Sequence, residues 1–382
     1  MSHDEAATPV RCDVVLEQTL GHVTHGQNLR RLLPHQPGLD PTFVEVQYEV
    51  DGWSRYVPGY QNWTIRAGWR ARRGVRALGR DHERDVLFVH SQVPAVLLGS
   101  VMSRIPTIVS LDATPKQYDE LGAHYAHETG PALAETAKLR LNARCFRRAA
   151  HLVTWARWTK GSLVDDYGVD PEKITVIPPG VDLGLWSPDD ERELAPDEPV
   201  RILFVGGDLA RKGGDDLIAS FAQIRAGFGA AVELHIVSRA RVDAVDGVTV
   251  HRDMTPNSRD LIDLYHRCHI FCLPTRGDCL PMVLPEAAAA GLALVSTDVG
   301  AISEIVRDGE TGLLVPVGER EKMSEALGRL IRDPDLRNRL ALRGSALVRE
   351  DHDAAINARR LSDLIREVAG RARRSQVAGR AT

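Results

Sequence analysis

Short apolar runs alternate with amphipathic helical stretches along this chain, and the series starts over once. Such an alternation can bury its apolar runs only as parallel strands with helices on both faces. In the first half the runs are Asp13–Leu16, Phe43–Val46, Asp85–Val89, Thr107–Leu111, His151–Thr154 and Ile174–Ile177. Helical patterns fall between them near 22–33, 66–80, 93–103, 130–149 and 159–167. Residues 187–199 are acidic and proline-rich with almost no apolar content, and they read as a linker. The second series follows, with Val200–Val205, Val232–Val237, Val248–Val250, Cys268–Leu273, Ala293–Ser296 and Gly312–Val315 as strands. A helix over 215–226 gathers Leu217, Ile218, Phe221 and Ile224 on one face, and one over 319–332 does so with Met323, Ala326, Leu327, Leu330 and Ile331. Pro334 ends the latter.

The fold class expected is therefore α/β, with two Rossmann-like domains. The first covers 1–186 and the second 200–352. Residues 353–382 are expected to form a C-terminal helix returning to the first domain, then a tail. A chain of 382 residues is long for one core and comfortable for two. Ligands of such sheets bind outside the carboxyl ends of the strands, so chemistry is sought there.

Composition removes some function classes. The net charge of −4 gives no global case for nucleic acid. Five cysteines (12, 145, 268, 272 and 279) are too few and too scattered for a disulfide framework. The polar, acidic N-terminus is unlike a signal peptide, and no apolar run approaches the roughly 18 residues of a membrane span. A cytoplasmic protein is expected.

Two carboxylates, Asp278 and Glu286, stand in Asp278-Cys279-Leu280-Pro281-Met282-Val283-Leu284-Pro285-Glu286, directly after the 268–273 strand. Glu286 falls in the first turn of an alanine-rich helix, a position that also suits the macrodipole alone. Pro281 and Pro285 are tolerated there because first-turn amides lack intrahelical partners. About 70 residues upstream, Phe204-Val-Gly206-Gly207-Asp-Leu-Ala-Arg211-Lys212-Gly-Gly214 ends a strand and opens a helix. Helix-start amides favour phosphate, and two cations add charge-assisted bonds to a diphosphate. By itself this turn is equally an ordinary basic helix start. It is neither a Walker A loop nor a dinucleotide fingerprint. Acids for hydroxyls beside cations for phosphate suit a ligand that has both.

With those elements in place, the chain resembles the retaining glycosyltransferases of family four, which have the GT-B fold. The resemblance runs through Ile177-Pro-Pro-Gly-Val-Asp182, the Val205–Lys212 turn, Leu273–Asp278, the 278–286 element, Glu286–Gly291, Ser296–Gly300, Glu304–Gly309 and Thr311–Pro316. It implies two Rossmann-like domains facing each other across a cleft, and transfer of a hexose from a nucleotide-diphosphate sugar. By resemblance Asp278 binds donor-sugar hydroxyls, Glu286 the ribose, and Arg211 and Lys212 the diphosphate. Gly206, Gly207, Cys279, Leu280, Pro281, Met282, Val283 and Gly300 complete the donor site, and Met254 lies near the base. Two departures stand out. The first acid is Asp rather than the family's Glu, and Gly207 occupies the place where the family often has Arg.

The first half resembles the family less, as an acceptor-binding domain would. Gly21, His22 and His25, in Leu20-Gly-His-Val-Thr-His-Gly26, sit where the family has a glycine-rich loop meeting phosphate or acceptor. His90 and Asp112 follow strands and are expected to line the cleft. Many relatives carry His near Asp112. The pairs His22-x-x-His25 and His124-x-x-His127 are too sparse for a zinc site. Neither a cofactor nor a metal is expected, and the acceptor is expected to be a glycan, glycolipid or small molecule. Arg66, Arg70, Arg72, Arg73, Arg76 and Arg80, with Trp63 and Trp69, form either a solvated helix face or a contact with an anionic membrane. Other GT-B activities (nucleotide-sugar epimerase, phosphorylase) and a non-catalytic nucleotide-sugar-binding scaffold are the competing readings.

Overall fold

The structure, a computed structural model, describes residues 8–18, 21–48, 62–79, 82–122, 132–188 and 198–380. Leu20, Arg80, His124, His127 and most of the 187–199 linker therefore lie outside the described residues. The chain divides into two compact units. One comprises 1–118, 129–180 and 354–382, the other 119–128 and 181–353.

The first unit is built on six parallel strands: β1 (Val10–Gln18), β2 (Leu39–Gln47), β3 (Val86–His90), β4 (Thr107–Leu111), β5 (His151–Thr154) and β6 (Ile174–Val176), in the order β2-β1-β3-β4-β5-β6. Its helices are α1 (His22–Leu32), α2 (Trp63–Ala77), α3 (Gln92–Ala95), α4 (Gly99–Met102), α5 (Pro115–Glu120), α6 (Ala132–Arg148) and α7 (Arg157–Asp165). The central strands β3, β4 and β5 are buried on both faces, as a helix-covered parallel sheet requires. One face packs Val15, Leu87, Val89 and Val109 against Ala67 and Ala71 of α2 and Phe146 of α6.

The second unit has α8 (Leu183–Trp186), then β7 (Val200–Val205), β8 (Val232–Val237), β9 (Val248–His251), β10 (Ile270–Leu273), β11 (Ala293–Thr297) and β12 (Gly312–Val315), again all parallel, in the order β12-β11-β10-β7-β8-β9. Helix α9 (Gly214–Phe228) packs against α12 (Arg320–Arg332), and α11 (Val283–Ala289) against α13 (Pro334–Asp351). Helix α10 (Arg259–Arg267) precedes β10. Helix α14 (Ala354–Arg380) belongs to the first unit, where Leu361, Leu364, Ile365 and Val368 close the other face of that sheet over Val14, Leu16 and Phe88.

Three local differences from the sequence expectations have physical causes. The expected helix over 93–103 is two short helices, because Val96 and Leu98 are both buried and residues two apart cannot share one helix face. Helix α2 starts at Trp63 because the Asn62 side chain accepts from the amides of Thr64 (3.0 Å) and Ile65 (3.2 Å). Pro334 ends α12 and also opens α13, with Asp333 capping the Leu336 amide at 2.9 Å. All five cysteines are free and buried. No helix among the described residues is long and apolar enough to cross a membrane.

Candidate active site

Strand order in the second unit reverses between β7 and β10, the neighbours whose chain connections lead in opposite directions. The loops after these two strands carry the sequence-predicted cations and the first acid. Lys212 Nζ donates to both oxygens of Asp278, at 2.8 and 2.7 Å. Arg211 Nη1 donates to Asp278 at 3.2 Å and to the Gly277 carbonyl at 2.8 Å. Asp208, more than half exposed, lies 3.5 Å from Arg211 Nε. The expected partition, acid to hydroxyls and cations to diphosphate, is in this structure one ion-paired cluster. It is nearly neutral once Asp208 is counted.

Two glycines let these loops meet. Gly213, at φ 75°, starts α9 so near the Pro274 carbonyl that a Cβ would stand 2.0 Å from its oxygen. Gly300, at φ 59°, seats the 278–279 segment, since a Cβ there would lie 2.2 Å from the Asp278 oxygen, and the Ala301 amide donates to Cys279 at 2.8 Å. Gly206 lies against Phe204 and Lys212, whereas Gly207 faces open space.

Glu286 sits in the first turn of α11, 8% exposed. Among the described residues no side-chain hydrogen bond or ion pair reaches its carboxyl group. Burial pushes its pKa up to about 8. The buried Tyr265 hydroxyl is likewise without a hydrogen-bond partner among the described residues. Burial and then the charge of Glu286 raise the Tyr265 hydroxyl well above its ordinary range. Buried polar groups left without partners are costly, so both groups carry an unmet hydrogen-bonding demand. Cys279, Leu280, Pro281 and Met282 are buried around the loop, and Val283 is half-buried. Met254 is elsewhere, after β9, lining a depression with His251, Asp260, Asp263, His266 and Arg267.

The first unit has its own polar cluster where its strand order reverses, between β1 and β3. Gly21 caps α1. His22 Nδ1 lies 2.9 Å from His90 Nε2 and 3.1 Å from Glu17 Oε1, and His22 Nε2 is 3.5 Å from Asp112 Oδ2. Glu17 also accepts from Tyr48 (2.7 Å) and Ser91 (3.0 Å). Asp112 accepts from the Ala113 amide at 2.8 Å. Burial works against a charge on His22, but Glu17 and then Asp112 outweigh it and lift the imidazole to about 9. Burial and the charged His22 push His25 down to about 3 and His90 well below its ordinary value. One charged imidazole therefore stands among neutral ones. Trp155, at the end of β5, stacks on His90 at 5.3 Å between centroids and touches His22 and His25. Its indole nitrogen, His25 Nδ1 and His90 Nδ1 are buried without partners among the described residues.

The structure thus joins His22, His25, His90 and Asp112 in one cluster and Arg211, Lys212 and Asp278 in another, and leaves Met254 outside both. Sequence reading missed Glu17, Trp155 and Tyr265. Glu17 had a signal: an acid at the carboxyl end of a buried strand. Trp155 and Tyr265 had none, since a buried aromatic ordinarily reads as core. Among the described residues no group of three or more His, Cys, Asp or Glu is arranged to hold a metal ion.

A family model described as Glycosyl transferases group 1 matches residues 199–333, and one described as Glycosyltransferase Family 4 matches residues 24–185. Among curated relatives, D-inositol 3-phosphate glycosyltransferase of Nocardia farcinica is 32% identical over 238 residues, 56% of this chain and 51% of that protein. The protein of the same name from Acidothermus cellulolyticus is 31% identical over 217 residues, 50% of this chain and 48% of that one. The chain spans about half the length of the curated relatives it matches. Among solved structures, sucrose-phosphate synthase from Thermosynechococcus elongatus aligns with a TM-score of 0.71 at 15% identity, covering 94% of this chain and 99% of that one. Anabaena HepE in complex with UDP and glucose aligns at 0.65 and 14% identity, covering 94% and 100%. Likenesses at such low identity show the fold, which is GT-B.

Proposed function

As the chain belongs to the family-four, group 1 glycosyltransferases, we propose that it moves a hexose from a nucleotide-diphosphate sugar to an acceptor hydroxyl, with retention of anomeric configuration. The observation that carries this reading is the pairing of Arg211 and Lys212 with Asp278 at the β7–β10 reversal, followed one helix on by the partnerless, buried Glu286. That Anabaena HepE is described with UDP and glucose bound agrees with a nucleotide-sugar donor.

In this mechanism the donor diphosphate takes over the bonds that Arg211 and Lys212 now give to Asp278. Asp278 then turns its oxygens to the sugar hydroxyls, and the ribose satisfies Glu286. Negative charge grows on the diphosphate as the glycosidic bond breaks. Cations already aimed there stabilise the transition state more than the ground state. No metal, cofactor or protein nucleophile is invoked. The acceptor, a glycan, glycolipid or small molecule, is assigned to the first unit's cluster. There the charged His22 and the neutral His25 and His90 orient its hydroxyl groups. The location inferred is cytoplasmic.

The test is a thermal-shift screen of nucleotide sugars, followed by product analysis with the stabilising donor. Stabilisation by a nucleotide sugar that Lys212→Ala and Glu286→Gln both weaken supports the site. Stabilisation indifferent to both variants removes it.

A further inference from the structure

We propose that the outer face of α2 docks on an anionic lipid bilayer. Ala67, Gly68, Ala71 and Val75 turn that helix's inner face into the core. On the opposite side Ile65, Trp69, Arg72, Arg73 and Arg76 recur at i, i+4, i+7, i+8 and i+11, one stripe about 100° wide. Trp69 is 57% exposed, Ile65 43% and Trp63, in the first turn, 41%. Large apolar side chains left in water on one helix face are costly unless something covers them. Residues 62–79 contain no acid. Among the described residues Arg73 and Arg76 take part in no ion pair. Apolar anchors at one end of the stripe and unneutralised arginines along the rest match the interfacial helix that sinks indole rings to headgroup depth and sets cations against lipid phosphates.

The first turn of α2 borders the polar cluster of the same unit. The Trp63 ring lies 6.0 Å from that of Tyr48, and the Tyr48 hydroxyl donates to Glu17 at 2.7 Å. Glu17 in turn stands 3.1 Å from His22. Trp63 lies off the stripe, so it is the first turn of the same helix that reaches the polar cluster, through Tyr48, and a bilayer docked on α2 lies on the helix that borders the cluster. Under the proposed function the acceptor is then lipid-borne. That consequence alone rests on the glycosyltransferase reading, whereas docking does not.

The experiment is co-sedimentation of the full chain with phosphatidylcholine vesicles, with and without phosphatidylglycerol, without any nucleotide sugar. Binding is expected only with phosphatidylglycerol and should weaken as salt rises. Each arginine brought to an anionic surface contributes about fivefold in partitioning, so Arg73→Ala with Arg76→Ala should lower binding about 25-fold. Trp69→Ser should lower it further, including at high salt. All three positions are in the exposed stripe, and an unchanged melting temperature verifies that the variants fold. Equal sedimentation with and without phosphatidylglycerol, or equal binding by wild type and the double-arginine variant, overturns the proposal. So does capture by RNA with no binding to vesicles. Transfer to water-soluble acceptors alone, with docking intact, would overturn only the lipid-borne acceptor.

Discussion

Lys212 Nζ lies 2.7 and 2.8 Å from the two carboxylate oxygens of Asp278, 66 residues further along the chain. The acid expected to hold sugar hydroxyls and a cation expected to hold diphosphate are each other's partners. Donor binding at this site must then exchange one set of charge-assisted bonds for another, and substitutions of the two residues should act in opposite senses on affinity.

Lys212→Ala should reduce kcat/KM by about 2–4 kcal/mol in barrier terms, the scale for losing one preorganised electrostatic stabiliser. Asp278→Asn should instead tighten binding of a nucleoside diphosphate while lowering kcat, because it frees both cations but removes the sugar's acceptor. Calorimetric titration with the diphosphate checks this. Weaker binding by the Asn variant would separate Asp278 from any competition for the cations.

Glu286 gives a pH signature. Its carboxyl pKa stands at about 8 in the folded chain against an ordinary 4.5, so the folded state holds the proton more tightly than the unfolded one. Stability is then undiminished below pH 4.5, declines as pH rises, and is lowest above pH 8. Glu286→Gln should flatten this slope and melt higher than wild type at pH 8, with the difference shrinking toward pH 5. Donor binding should show the reverse order, with wild type gaining more. Parallel melting curves across pH would contradict the buried, partnerless state of this carboxyl.

His22 titrates in the opposite chemical sense but with the same slope. Its pKa is raised from 6.5 to about 9 by Glu17 and Asp112, against burial. The stability it contributes is complete below pH 6.5 and is lost as pH rises through 9. His22→Gln should lose this dependence and be the less stable protein at neutral pH. An imidazole NMR titration that places His22 below its ordinary value would refute the charged assignment.

Gly300→Ala should destabilise by at least about 1 kcal/mol, because an alanine is strained at positive φ. The new methyl would also meet the Asp278 carbonyl, so donor affinity should fall along with the melting temperature. Gly207→Ala, with nothing within 4 Å of the added carbon, is the control expected to leave both unchanged.

Much of the fold was legible because strand and helix signals are local. Each of the twelve strands coincides with, or lies within a few residues of, an apolar run visible in the chain. The misses have the same origin. The 93–103 pattern looks helical until two residues on opposite faces, Val96 and Leu98, must both be buried, and only the packed unit imposes that. In the same way the helical pattern read from 66 starts at Trp63 once the Asn62 side chain caps α2. The loop cations and acids were visible as residue types after strands, but their partners were not.

The sequence by itself determined two strand–helix series and the placing of Arg211, Lys212, Asp278, His22, His90 and Asp112 at their strand ends. Periodicity, turn residues and helix starts are set by neighbours a few positions away, so a linear reading can find them. Only the tertiary structure decided that Asp278 meets Lys212, that Glu17 and Asp112 enclose His22 with Trp155 against the imidazoles, and that Glu286 is buried with no side-chain partner among the described residues. Parallel strand order brings carboxyl ends from distant parts of the chain side by side, and burial then determines which of those groups can hold a charge.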